Sequence, residues 1–171
     1  YRRYFGGEGI VAYYLLKELK PGTKPFSADN LLIFACGPIT GIPLSGASRS
    51  CVGGKSPLTN GFGEAEVGGF WGAELKKAGY DAVVIKGQAK KPVFLFITND
   101  EVTFHSAEHL RGKETGETHY RIQEELNDEK IRIASIGIGG ENKVLYANIM
   151  HDLRHAAGRT GLGAIMGSKK L

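Results

Sequence analysis

The sequence predicts an α+β fold of mixed β-sheets with a few helices, arranged as two halves related by a pseudo-twofold axis. Strand-length apolar runs such as Leu31–Cys36, Val93–Ile97 and Ile131–Ile136 outnumber segments of helical period. Those helices are too few to cover both faces of a doubly wound sheet. An order of helix, apolar strand and glycine turn also occurs twice, so that residues 9–80 and 114–171 read as an internal repeat. The competing explanation is that so common an order recurs by chance.

Taken in order, Gly9–Leu19 carries Ile10, Val11, Tyr14, Leu15 and Leu19 at helical spacing and stops at Pro21-Gly22. Leu31–Cys36 is apolar at every position, which predicts a strand buried on both faces, closed by Gly37-Pro38. Residues 45–58 form a Ser- and Gly-rich stretch holding Arg49 and Lys55. The glycines at 61, 63, 68, 69 and 72 lead into a short helix, Phe70–Ala78. Strands are predicted at Asp81–Lys86, Val93–Ile97 and Val102–His105, a helix at Glu114–Leu126, and strands at Ile131–Ile136 and Val144–Met150. Gly158–Gly167 is again glycine-rich and runs into a last helix. The chain reads as a single domain, 1–171.

Composition excludes several classes. The net charge of +4 is mildly basic, and the basic residues are spread among acidic ones, which speaks against a nucleic-acid site. The 25 glycines are about twice the usual share and have no triplet period, so collagen is excluded and the glycines serve turns or close approach to a ligand. No apolar run approaches the ~20 residues needed to span a bilayer. Residues 1–7 offer neither an initiator Met nor a secretory apolar segment, and the twin arginines at 2 and 3 have none behind them. A cytoplasmic fragment of a larger protein is therefore expected. Cys36 and Cys51 cannot supply a four-thiolate metal site and are read as free structural thiols.

Two glycine-rich segments, 61–69 and 154–163, carry the chemistry. Backbone amides at helix N-termini, close-approach glycines and nearby arginines together form the physical pattern of a phosphate or pyrophosphate site. Glycines needed only for packing are the competing explanation. Neither a dinucleotide fingerprint nor a P-loop occurs. His151 and His155 are four apart, a spacing that suits one helix face, yet Arg154 between them disfavours a cation. His105, His109 and His119 are expected at the surface, and Trp71, Tyr13 and Tyr14 in packing. No carboxylate pair, serine elbow or Cys/His couple marks a catalytic centre, and no catalytic residue is expected in this chain.

The strings Phe5-Gly6-Gly7-Glu8-Gly9, Gly37-Pro38-Ile39-Thr40-Gly41, Lys55-Ser56-Pro57-Leu58-Thr59, Gly68 to Ala82 and Ala156 to Lys169 resemble, in order and over essentially the whole chain, the N-terminal domain of the aldehyde ferredoxin oxidoreductase family. The resemblance implies one domain of a larger oxidoreductase of anaerobic metabolism. Its tungsten or molybdenum ion is held by two pyranopterins beside a four-iron four-sulfur cluster whose cysteines lie in later domains. Such enzymes oxidise aldehydes or related oxo compounds and pass electrons to ferredoxin. This domain would be the base beneath the pterins, gripping their phosphates and a bridging magnesium. Carried over by position, Arg49 matches the arginine between pterin and cluster, Gly68 a phosphate-side glycine, and Gly158 and Arg159 a phosphate loop. Glu66 stands where an Asn is usual, and its main-chain carbonyl, with that of Ala156, would bind the magnesium. His155 replaces an arginine. These departures leave the substrate open, and the sequence does not choose between tungsten and molybdenum. Implied partners are the C-terminal domains of the same enzyme and an electron carrier, with a homodimer left open. The alternative function is a stand-alone binding module for a phosphorylated small molecule.

Overall fold

The computed structural model describes residues 3–99 and 101–171; Tyr1, Arg2 and Asp100, and with Arg2 half of the twin-arginine pair, lie outside the described residues. The α+β class is as expected: three antiparallel sheets with short helices between them.

The first helix, α1 (Gly7–Glu18), leads to a four-stranded sheet of β1 (Leu32–Cys36), β2 (Ser50–Lys55), β3 (Phe62–Val67) and β4 (Ala82–Ile85), in the order β3-β2-β1-β4. Helix α2 (Trp71–Lys77) lies between β3 and β4 in sequence. Every residue of β1 is buried, as its unbroken apolar run predicts. One face of the sheet receives α1, through Val11 and Leu15 packed on Leu31, Ile33, Ala35 and Cys51. Its opposite face receives α5 (Leu162–Ser168), through Leu162, Ile165 and Met166 packed on Leu32, Phe34, Val52, Ala65 and Val67. Each fully buried aliphatic side chain here contributes roughly 1.5–3 kcal/mol.

A hairpin of β5 (Val93–Ile97) and β6 (Val102–Ser106) stands apart from that sheet and shares a smaller core with α3 (Thr115–Leu126), built on Leu110, Ile122 and Ile133 with Phe94 and Leu126. The third sheet contains β7 (Ala134–Ser135), β8 (Ile149–His151) and β9 (His155–Ala157) in that order. The one-turn helix α4 (Ile138–Glu141) packs against α5. Gly167 makes this possible, because a Cβ there would lie 2.0 Å from the Gly140 carbonyl oxygen.

Several predicted elements are corrected. Residues 50–55 and 62–67, read as glycine-rich connections, are full strands paired over six residues. The strand expected over Ile131–Ile136 pairs only at 134–135. Residues 144–148 turn instead of extending, with the Ala147 amide donating to the Val144 carbonyl, and the strand begins at Ile149. His119 is buried on the inner side of α3, not at the surface. His151 and His155 lie opposite each other across the β8–β9 hairpin, not on a helix. Both cysteines are buried and neither forms a disulfide among the described residues; they occupy opposite sheet faces because Cys51 pairs with Ala35 and Cys36 with Ser50.

Candidate functional site

The two glycine-rich segments come together where one sheet ends and another begins. β3 is the edge of the four-stranded sheet, β9 the edge of the three-stranded one, and the two strands pack against each other. On β3, Gly63, Ala65 and Val67 turn inward, while Glu64 and Glu66 share the other side of the strand. Small residues are required inside: a Cβ at Gly63 would approach the Gly54 carbonyl oxygen to 2.9 Å.

The junction is tied by side chains. Arg159, just beyond β9, donates from Nη2 to Glu64 Oε2 at 2.8 Å. The next residue, Thr160, has its Oγ1 2.7 Å from the Arg159 carbonyl and 3.2 Å from the Glu64 carbonyl, one proton serving both acceptors, and its own carbonyl accepts from Ser56 Oγ at 2.7 Å. Ser56 is fully buried, and its hydroxyl oxygen also accepts from the amides of Leu58 and Thr59, so the loop between β2 and β3 is locked onto the second half of the chain. Further along the edge, Gly68 and Gly69 lie against the His155 ring. A Cβ at Gly69 would lie 2.8 Å from its Cδ2, and one at Gly68 3.4 Å from its Nδ1. The Asp152 carboxylate accepts from the Ile133 amide at 3.1 Å and, in a longer contact, from the Phe70 amide at 3.4 Å. Arg49 precedes β2, beside the Ser50–Val67 pair, and its guanidinium lies 4.0 Å from Glu66.

The structure thus brings all seven candidate residues onto one rim. Arg49, Glu66, His155, Ala156, Gly158 and Arg159 are exposed, and Gly68 is half-buried. The local structure differs from the expectation in one respect. α2 starts at Trp71 and α5 at Leu162, so positions 66, 68, 155, 156 and 158 sit on strand edges and loops, not on first helical turns. Sequence reasoning missed Glu64, Ser56 and Thr160, because only the pairing of β3 with its neighbours gives them partners. Beside Glu66 on the next strand, the thiol of Cys51 has its pKa pushed up by burial and by Glu64, which leaves it unreactive. Among the described residues, no group of three or more His, Cys, Asp or Glu side chains gathers to hold a metal.

Chemically the rim presents two guanidinium groups, an imidazole and glycine backbone at the seam of two sheet edges. That arrangement fits phosphate: strand edges offer main-chain groups, glycines admit close approach, and guanidinium groups supply paired donors. Glu64 and Glu66 oppose it in sign, and each lies beside an arginine.

Residues 1–171 match the family model described as aldehyde ferredoxin oxidoreductase, N-terminal domain. The chain is 47% identical, over 170 residues, to a tungsten-containing aldehyde ferredoxin oxidoreductase of Pyrococcus furiosus, covering 99% of this chain and 28% of the relative. It is 41% identical to an aliphatic sulfonate oxidoreductase, WOR-like subunit, of the same organism, covering 99% of this chain and 29% of that one. Among solved structures it is similar to the active site complex BamBC of benzoyl coenzyme A reductase bound to 1,5-dienoyl-CoA, with a TM-score of 0.95, 44% identity, and coverage of 98% of this chain and 26% of the other. The chain therefore spans little more than a quarter of the length of each of these three proteins.

Proposed function

The chain belongs to the aldehyde ferredoxin oxidoreductase family, and on that premise we propose that it is the cofactor-base domain of an oxidoreductase acting on aldehyde or oxo groups. The observation that carries the reading is the meeting of β3 and β9, which gathers Arg49, Glu66, Gly68, His155, Ala156, Gly158 and Arg159 on one exposed rim. The group implied is a tungsten or molybdenum bis-pyranopterin, with tungsten favoured by the naming of the relatives. Bound there, that group would supply the redox chemistry at its metal.

The residues of this chain would bind and orient. Arg49 and Arg159 would direct guanidinium donors at phosphate oxygens, and Gly68 and Gly158 would admit the anion close to the backbone. The main-chain carbonyls of Glu66 and Ala156 would serve a magnesium between the phosphates, whose remaining positions phosphate and water fill. The ligands of an iron–sulfur cluster, the residues that handle substrate and the contact with ferredoxin belong, in this reading, to further domains of a cytoplasmic enzyme.

A repeat within the domain is part of the same proposal. Each half runs helix, three consecutive antiparallel strands, helix: α1, β1–β3 and α2, then α3, β7–β9 and α5, with α4 inserted and with β4 added to the sheet of the first half. Two like halves meeting edge to edge suit a ligand that is itself double.

Arg49→Ala in the full-length enzyme tests the reading. The expected result is a fall in both metal and pterin content, measured by mass spectrometry of the metal and fluorescence of the oxidised pterin. Content equal to that of the parent enzyme would remove Arg49 from the site.

A further inference from the structure

We infer that Glu64 is the positioning residue for Arg159, an inference that rests on the cofactor-base reading. The ion pair between them is asymmetric. The Glu64 side chain is 12% exposed and that of Arg159 67%, at a separation of 2.8 Å. A carboxylate is rarely placed so deep without a fixed partner. Among the described residues its oxygens take no other hydrogen bond. The anchored end of the pair is therefore inside, and the guanidinium stands outside on the rim. An arginine has five N–H donors in a rigid fork, so one bond to Glu64 anchors Nη2 and leaves the other donors of this largely exposed side chain available.

The backbone supports this role. Thr160 has φ of +62°, a conformation that β-branched residues avoid. It is held there from two sides, by its hydroxyl, which lies 2.7 Å from the Arg159 carbonyl and 3.2 Å from that of Glu64, and by Ser56 on its own carbonyl. Residue 64 therefore fixes the Arg159–Thr160 segment through side chain and main chain together. Strain that surrounding contacts over-determine is a mark of a preset binding loop. Arg49 provides the contrast. It lies 4.0 Å from Glu66, with both side chains more than half exposed, a geometry that solvent screens and that orients little.

Two other roles for Glu64 make different predictions. A purely structural Glu64 would stabilise the fold without regard to cofactor, and a repulsive one would oppose phosphate, so that its neutralisation would raise cofactor content. The test uses the full-length enzyme as Glu64→Gln, Arg159→Gln and the double variant. Readouts are metal and pterin per polypeptide, and the rise in melting temperature that inorganic pyrophosphate gives the cofactor-free protein. Glu64→Gln is expected to lower cofactor content roughly tenfold, the equivalent of about 1.4 kcal/mol, and to remove most of the pyrophosphate response. The double variant should be no worse than Arg159→Gln alone, because Glu64 acts only through that arginine. Unchanged or raised content in Glu64→Gln, or losses that multiply in the double variant, would overturn the inference. Should Glu64→Gln fail to fold, Glu64→Asp keeps the charge and draws the guanidinium inward by one methylene. It should melt like the parent yet retain less cofactor, and parental content in a folded Glu64→Asp would likewise end the inference. A parent enzyme with no pterin, no metal and no response to pyrophosphate would instead remove the cofactor-base reading, and the role of Glu64 with it.

Discussion

At the scale of single residues, His151 is the costly one. It is fully buried between Phe34 and Trp71, and neither ring nitrogen has a hydrogen-bond partner among the described residues. Burial, with a smaller contribution from His155, pushes its pKa down to about 4 from an ordinary 6.5. The folded state thus keeps a neutral imidazole that the unfolded state protonates below about 6.5. Between those values the unfolded chain binds more protons, so stability falls as the pH is lowered, by up to about 1.4 kcal/mol per pH unit for one group. His119, whose pKa burial also lowers against the opposing pull of Asp152, adds to the same acid slope. His151→Phe should be at least as stable as the parent near neutrality and should flatten the slope between pH 6.5 and 4, read from denaturant melts at several pH values. An unaltered slope would place the acid sensitivity elsewhere. Neither burial was legible in the sequence, because a histidine inside a polar-looking segment gives no sign of the face it occupies.

At the scale of elements, small residues do the packing that large ones do elsewhere. Val11 of α1 presses into Gly53 of β2, where an added Cβ would meet Val11 Cγ1 at 2.1 Å. Gly53→Ala should therefore lift α1 off the sheet and cost about 1–3 kcal/mol, measured as a fall in melting temperature. Val11→Ala in the same chain should recover part of the loss. The same substitution of small for large explains which elements the sequence disclosed. β1 was legible because Leu32, Ile33 and Phe34 are apolar and buried on both faces. β2 and β3 were not, since Gly53, Gly54, Gly63 and Ala65 stand among their buried positions and leave only Cys51, Val52 and Val67 as larger apolar residues there, too few for a hydrophobic pattern. The opposite error occurred at Ile131–Ile136 and Val144–Met150. Those runs are apolar enough for strands but only partly paired: Ile133 is buried in the core it shares with α3, while Leu145 and Tyr146 stand exposed on a turn, so apolar character there marked neither a strand nor the interior.

At the scale of the whole molecule, the α+β class was legible in the sequence. The two glycine-rich segments do meet, and the second carries Arg154 and Arg159, but Gly63, Gly69, Gly161 and Gly163 are also required by close packing, so glycine content alone could not separate the two explanations. The ties that hold the segments together, Glu64, Ser56 and Thr160, belong to the fold and not to any local motif. A domain that only supports a cofactor should turn over nothing by itself: the 171-residue chain is expected to show no aldehyde oxidation with an artificial electron acceptor, and a single measurable turnover would contradict the division of labour proposed above. The partners across the seam are 95 to 104 residues apart in the chain, as in Arg159 with Glu64 and Ser56 with Thr160. Contacts of such sequence separation close late in folding, after local hairpins and helices have formed. No half-made domain can therefore display the rim, and an anion that docks there meets only polypeptide that has already finished folding.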